Sequence, residues 1–351
     1  MKKIITSIVG TGRMANEWAN LVNRKNNFFL KNVVSRSENR GIDFANRHKC
    51  KFISNSNQIV EDRDIDLVIV CSNPEVNKLA IEFSKNKKNL ILEKPLSLNL
   101  SDSELIFSQC KKDNIICAAG LNRHYDTFFS FVNKHVEILG TCFHAEYKKY
   151  YKGEKTDEEF SLKRTKKTGG IFLGGLVHQF DQVNKLFGKP ESLIATELGS
   201  TNENVIVDTN ILVKYEKGIT CNFSKKLDCK YNFGEFMTLY CENGLIEINF
   251  NIQTVSAICH PFNNKYSRAV LSRFKHNLFK KKKLTKFNKK KIIASQTFWQ
   301  GGQENILDNF SKVFFGEKNI DLVDITNNYN TSKMAFACIE SIKANGWVKI
   351  F

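Results

Sequence analysis

A short apolar strand that runs into Gly10-Thr11-Gly12-Arg13-Met14-Ala15 and then into a helix leaves few folds open. Lys3 to Gly10 reads as strand, and Arg13 to Asn23 carries Met14, Ala15, Trp18, Leu21 and Val22 at helical spacing. In G-x-G-x-x-A at such a junction the first glycine turns the chain and the second admits a pyrophosphate close to the backbone. The small third residue lets helix pack on strand. The helix N-terminus then faces the phosphates. An ordinary tight turn is the bland alternative, but strand, turn and helix in succession favour a dinucleotide site with Gly10, Gly12, Arg13 and Met14 as contacts.

The next hundred residues repeat the unit. Strands are expected over Phe28–Val34, Lys51–Ile53, Asp66–Cys71, Asn89–Leu92 and Ile115–Gly120. Helices are expected over Ser37–His48, Glu75–Lys85 and Ser101–Lys112, with a polar connection through Gln58–Asp62. Continuous apolar runs such as Asp66–Cys71 mark strands buried on both faces. Repeated βα units imply a doubly wound parallel sheet. After residue 122 the pattern becomes strand-rich: Thr141–Tyr151, Leu193–Leu198, Asn204–Tyr215, Ile219–Lys226, Phe236–Cys241 and Gly244–Phe250. Helical candidates there are Asp126–Leu139, Gly175–Leu186, Gln303–Phe315 and Asn328–Asn345. The fold class is therefore α/β: a doubly wound dinucleotide-binding domain over 1–121, then an α+β domain over 122–351 with an antiparallel or mixed sheet.

The end of the second strand bears on the choice of dinucleotide. NAD binders usually place an acid about 20 residues after the glycines, on the ribose 2′-hydroxyl. Here the turn reads Val34-Ser35-Arg36-Ser37, with no acid before Glu38. Two hydroxyls around a guanidinium suit a 2′-phosphate, so Ser35, Arg36 and Ser37 favour NADP(H) over NAD(H). Glu93-Lys94-Pro95 follows the strand Asn89–Leu92 and stands where doubly wound sheets bind ligands. Near a nicotinamide, Lys94 is placed to move the proton that accompanies hydride transfer. The bland reading of Glu93-Lys94 is a surface pair.

Charge narrows the partners less. The chain carries a net charge of +17, and twelve Lys and Arg fall between Lys265 and Lys291. Such a block attracts polyanions, whether a phosphorylated substrate or an anionic membrane surface, or is simply a solvated loop. No zinc-finger or RNA-binding signature accompanies it, so no specific nucleic acid is expected. The ten cysteines include no C-x-x-C pair and mostly sit in apolar segments, as reduced thiols do. The opening Met1–Val9 lacks the features of a cleaved leader, and no run reaches a membrane span. A cytoplasmic setting is the expectation, with no metal site: His144 and His178 make an incomplete ligand set.

Taken in order, Gly10-x-Gly12-x-x-Ala15, Val70-Cys71-Ser72-Asn73-Pro74, Glu93-Lys94-Pro95, Gly120-Leu121-Asn122-Arg123, and the run Gly169-Gly170-Ile171-Phe172 to His178-Gln179-Phe180-Asp181 resemble the glucose–fructose oxidoreductase, inositol dehydrogenase and rhizopine catabolism family (Gfo/Idh/MocA). The resemblance spans about residues 1–190. It implies reversible hydride transfer between a nicotinamide and a carbon of a sugar, polyol or related alcohol. It also implies a Rossmann domain over 1–121, a C-terminal domain with a large, mostly antiparallel open sheet over 122–351, and a homo-dimer or homo-tetramer built on that sheet. It assigns catalytic support to Lys94 and acid–base or substrate contact to His178. Asn122 and Arg123 fall near the substrate, and Ser72, Asn73, Pro74, Glu93 and Lys94 itself on the nicotinamide side.

One departure stands out. Many members carry an Asp three or four residues before that histidine, where this chain has Gly174 and Gly175. Asp181, one helical turn after His178, either orients the imidazole in compensation or pairs elsewhere. The expected activity is an NAD(P)-dependent oxidoreductase acting on a CH–OH group of a sugar or sugar derivative, the basic block favouring a phosphorylated or nucleotide-linked sugar of surface-glycan biosynthesis. Its rival is a catalytically impaired dinucleotide-binding sensor or regulatory subunit.

Overall fold

The computed structural model describes residues 2–72, 74–152, 169–200, 206–259, 287–288 and 300–351. They form two compact units. One comprises Met1–Tyr125, Arg164–Asp181 and Thr297–Phe336, the other Asp126–Lys163, Gln182–Gln296 and Ala337–Phe351. Asn73 and nearly all of the basic block Lys265–Lys291 lie outside the described residues.

The first unit is built on six parallel strands: β1 (Ile4–Val9), β2 (Phe28–Val34), β3 (Lys51–Ile53), β4 (Leu67–Val70), β5 (Asn89–Leu92) and β6 (Cys117–Ala119). Their order is β3-β2-β1-β4-β5-β6. The strand order reverses between β1 and β4, and ligands of doubly wound sheets bind outside the carboxyl ends of the strands at such a point. β4 is buried at every residue, as its unbroken Leu-Val-Ile-Val run requires. Helices Arg13–Arg24, Glu38–His48, Leu79–Lys85 and Leu100–Asp113 make the crossovers. The first buries Ala15, Trp18, Ala19, Leu21 and Val22 on one stripe.

The second unit is a nine-stranded sheet. In chain order its strands are β7 (Cys142–Lys152), β8 (Pro190–Ser200), β9 (Ile206–Tyr215), β10 (Thr220–Cys229), β11 (Gly234–Cys241), β12 (Gly244–Asn249), β13 (Thr254–Cys259), β14 (Phe287–Asn288) and β15 (Val348–Lys349). Their order in the sheet is β14-β13-β12-β11-β7-β10-β9-β8-β15. Every pairing is antiparallel except β7 with β10. Burial alternates along β9 to β12, so one face is packed and the other open.

Several boundaries differ from the sequence reading. The connection at Gln58–Asp62 is a short helix, Asn57–Glu61, anchored by a fully buried Ile59. The helix expected from Glu75 starts as a 3-10 turn over Pro74–Lys78 before Leu79–Lys85. The helix expected over Gly175–Leu186 begins at Val177 and runs to Phe187, with a separate short helix, Gly170–Leu173, ahead of the Gly174-Gly175 pair. Strands β13, β14 and β15 were not anticipated. Cys50, Cys71, Cys110, Cys117, Cys142, Cys221, Cys229, Cys241 and Cys338 are free thiols. Among the described residues, no helix is long and apolar enough to cross a membrane.

Candidate active site

At the end of β1 the chain turns through Gly10 at φ +113°, where its amide donates to Val34 O at 2.9 Å. A Cβ there would stand 2.5 Å from the Cys71 carbonyl oxygen at the end of β4, so glycine is required both for conformation and for space. Gly12, by contrast, opens onto empty space: a Cβ would meet nothing within 4 Å. Gly12 caps helix Arg13–Arg24 without a side-chain hydrogen bond, and the first turn holds no acid. Uncapped N–H groups beneath an open glycine fit a pyrophosphate. Of the expected contacts, Arg13 is exposed and pairs with Glu17 at 3.0 Å, and Met14 is half-buried behind it.

At the end of β2, Ser35 Oγ accepts from the Ser37 amide (3.2 Å) and donates to Ser37 O (2.9 Å). That hydroxyl is thus spent on shaping the turn. The Arg36 guanidinium is exposed and has no partner among the described residues. Beyond β4, Ser72 is half-buried and Pro74 buried.

Glu93-Lys94-Pro95 follows β5, and the surface-pair reading of Glu93 is wrong. Glu93 is buried, and its carboxylate accepts from the Trp18 indole Nε1 at 2.8 Å. Burial raises its pKa above the usual glutamate range, which the Trp18 hydrogen bond and the Lys94 charge partly oppose. Gly120 backs the same carboxyl group, and a Cβ there would lie 2.8 Å from Glu93 Oε2. Asn77, also missed in the sequence, is buried and donates through Nδ2 toward the carbonyls of Glu93 (3.2 Å), Pro95 (3.1 Å) and Leu96 (3.0 Å). The Lys94 ammonium donates to the Gly174 carbonyl oxygen at 3.2 Å. A backbone carbonyl thus meets the lysine at one of the two glycines that replace the family's usual Asp.

Asn122 and Arg123 lie in a 3-10 turn, Asn122–Tyr125, and both are buried. His178 and Asp181 are buried on helix Val177–Phe187. The Asp181 carboxylate bonds His124 Nδ1 at 3.0 Å and accepts from Asn327 Nδ2 at 3.5 Å. His124 Nε2 stands 3.5 Å from Asp321 Oδ1. The sequence reading passed over His124 because it follows a quoted motif without being part of it. In the second unit, β7 and β11 carry a polar cluster on the packed face. Buried Glu235 accepts from the hydroxyls of Tyr147 and Tyr151 and pairs with Lys149 at 3.2 Å. Tyr147 also donates to Gln182 Oε1 at 2.9 Å, and Gln182 Nε2 donates to Asp126 at 2.6 Å.

The Rossmann unit thus places an uncapped helix N-terminus after β1 and Lys94 after β5 at the carboxyl edge of one sheet. Residues 4–121 match the model of an oxidoreductase family with an NAD-binding Rossmann fold, and residues 139–247 match the GFO/IDH/MocA C-terminal domain. The chain belongs to the Gfo/Idh/MocA oxidoreductase family and carries its nicotinamide-dinucleotide fold. A myo-inositol 2-dehydrogenase of Thermotoga maritima is 27% identical over 206 residues, 56% of this chain and 60% of that protein. The chain therefore aligns with less than two thirds of that relative. Among solved structures, an Agrobacterium radiobacter oxidoreductase in complex with NAD+, L-tartaric acid and magnesium has a TM-score of 0.81 at 14% identity, covering 99% of each chain. The WlbA dehydrogenase of Bordetella pertussis, in complex with NADH and UDP-GlcNAcA, has a TM-score of 0.80 at 13% identity, covering 99% of this chain and 98% of that one. Both share the fold.

Proposed function

We propose that this chain is an NAD(P)-dependent dehydrogenase or reductase acting on a CH–OH group of a sugar or sugar derivative. One observation carries the reading. An uncapped helix N-terminus after β1 and Lys94 after β5 stand at the carboxyl edge of the same sheet, with the Lys94 ammonium held on Gly174 O. The nicotinamide, when bound, supplies the hydride acceptor or donor. Gly10, Gly12, Arg13 and Met14 cradle the pyrophosphate, and Ser72, Asn73, Pro74 and Glu93 line the nicotinamide side. In alcohol oxidation the carbinol carbon loses hydride, and its hydroxyl proton passes to the Lys94 amine; reduction reverses both transfers. His178 bonds the substrate hydroxyl as a second proton carrier, and Asp181, bonded to His124 Nδ1, supports it from one turn along the same helix. Asn122 and Arg123 bind substrate. Residues 1–121 serve the dinucleotide, and residues 122–351 serve substrate and assembly as a homo-dimer or homo-tetramer in the cytoplasm.

The free Arg36 guanidinium supports NADP(H) as the preferred cofactor. The Lys265–Lys291 block supports a phosphorylated or nucleotide-linked sugar, and the complex of a fold neighbour with UDP-GlcNAcA is in keeping with that reading. Turnover is tested by following nicotinamide absorbance with myo-inositol and UDP-GlcNAcA as first probes, then a wider sugar panel. Reduction of the cofactor by one of them, lost in Lys94→Ala, is the expected result. Dinucleotide binding without turnover on any sugar would favour the sensor or regulatory subunit instead.

A further inference from the structure

The loop that carries Lys94 is held from three sides by groups that take no part in the proposed chemistry. Asn77 offers two amide hydrogens to three carbonyls, at Glu93, Pro95 and Leu96, so one hydrogen is shared and the backbone on both sides of Lys94 is fixed. Asn77 is 1% exposed, so these carbonyls exchange it for no water. The Trp18 indole holds the Glu93 side chain from below, and Gly120 closes the space behind it. Trp18 lies in the helix whose N-terminus forms the phosphate cradle, fully buried and with its indole N–H spent on this bond. The Lys94 amide also donates to the buried Glu93 carboxylate, and losing the indole donor would leave part of that carboxylate's accepting capacity unsatisfied.

We infer that Asn77 and Trp18 are positioning residues for Lys94, Asn77 by fixing the main chain of Glu93-Lys94-Pro95-Leu96 and Trp18 by tying that loop to the dinucleotide-binding helix. This rests on the proposed role of Lys94 for its meaning in turnover, but the clamp itself is a statement about where one amine is held. A lysine displaced by about 1 Å forfeits much of the rate that correct placement provides. Sequence alone does not show it, since Asn77 lies 17 residues and Trp18 lies 76 residues from Lys94.

The test uses the full chain and acetic anhydride as probe, with the acetylation rate of each lysine read by mass spectrometry. Asn77→Asp is isosteric but turns a donor into an acceptor facing three carbonyls; Trp18→Phe keeps an aromatic ring and removes the donor. In both, Lys94 should be acetylated roughly threefold faster or more, because local opening frees its amine from Gly174 O. Lys111 and Lys214 serve as internal references and should keep their native rates. NADH affinity should hold within about twofold, while kcat with any working sugar falls by roughly tenfold and KM for the dinucleotide stays put. Unchanged Lys94 acetylation in the folded variants overturns the inference, and so does equal acceleration of all three lysines. Asn77→Asp alone decides the matter where Trp18→Phe fails to fold. Turnover that survives Lys94→Ala would sink the catalytic reading and leave the acetylation result standing.

Discussion

The glycine turn after β1 and the lysine loop after β5 stand at the same edge of one sheet, yet they are specified in opposite ways. The turn is coded by its own residues: Gly10 needs its positive φ and its missing Cβ, Gly12 leaves open space, and Ala15 packs flat. The loop is coded by others. Lys94 is placed by Asn77, by Trp18 through Glu93, and by the carbonyl of Gly174, eighty residues away. Backbone-built sites are local because a main-chain conformation is local. A long, flexible ammonium stem has no conformation of its own and must borrow one from neighbours.

The largest effect belongs to the lysine itself. Lys94→Ala should lower kcat by roughly 10²–10⁴-fold, as loss of a general acid–base group does, with dinucleotide affinity retained in fluorescence titration. Loss of affinity instead would mean that loop and turn are one site and not two. Next comes His124, a second remotely held group. His124→Ala leaves the buried Asp181 carboxylate with Asn327, and should cost about 3 kcal/mol in thermal or urea unfolding. A change under about 0.5 kcal/mol would show that the pair is ornamental to stability.

Arg36→Ala probes the locally coded side. It should weaken NADPH by about tenfold, as loss of a charged hydrogen bond does, and leave NADH nearly unchanged. The smallest effect is a slope. Glu93 has its pKa raised mainly by burial, so its contribution to stability is fully present below the ordinary glutamate value and is lost as pH rises through the folded value. Glu93→Gln should remove that decline, giving a melting temperature flatter with pH above the acid range than the native chain shows.

Much of the first unit was legible in the sequence because βα units announce themselves through apolar runs and helical spacing. Where few residues carry an element, the signal fails: Asn57–Glu61 buries Ile59 and half-buries Val60 against the core. β13 hides because its inward residues, Val255 and Ala257, include one too small to mark a strand. The candidate site divides the same way. Gly10, Gly12 and the Arg36 turn are readable from contiguous residues, whereas Glu93 beside Lys94 reads as a surface pair until Trp18 and Gly120 are seen around it. His124 and Asp181 are 57 residues apart, and nothing in either segment names the other. The Gly174 and Gly175 departure is visible as a missing acid, but not that a main-chain oxygen there meets the lysine.

The central claim is that this chain binds a nicotinamide dinucleotide at the turn after β1 and discriminates through Arg36. The most direct measurement is a fluorescence titration of the purified chain with NADPH and with NADH, repeated on Arg36→Ala. Saturable binding of both, tighter for NADPH and levelled by Arg36→Ala, is the result expected. If neither dinucleotide bound, the open glycine and uncapped helix would be architecture alone, and the proposed hydride chemistry would fall with them.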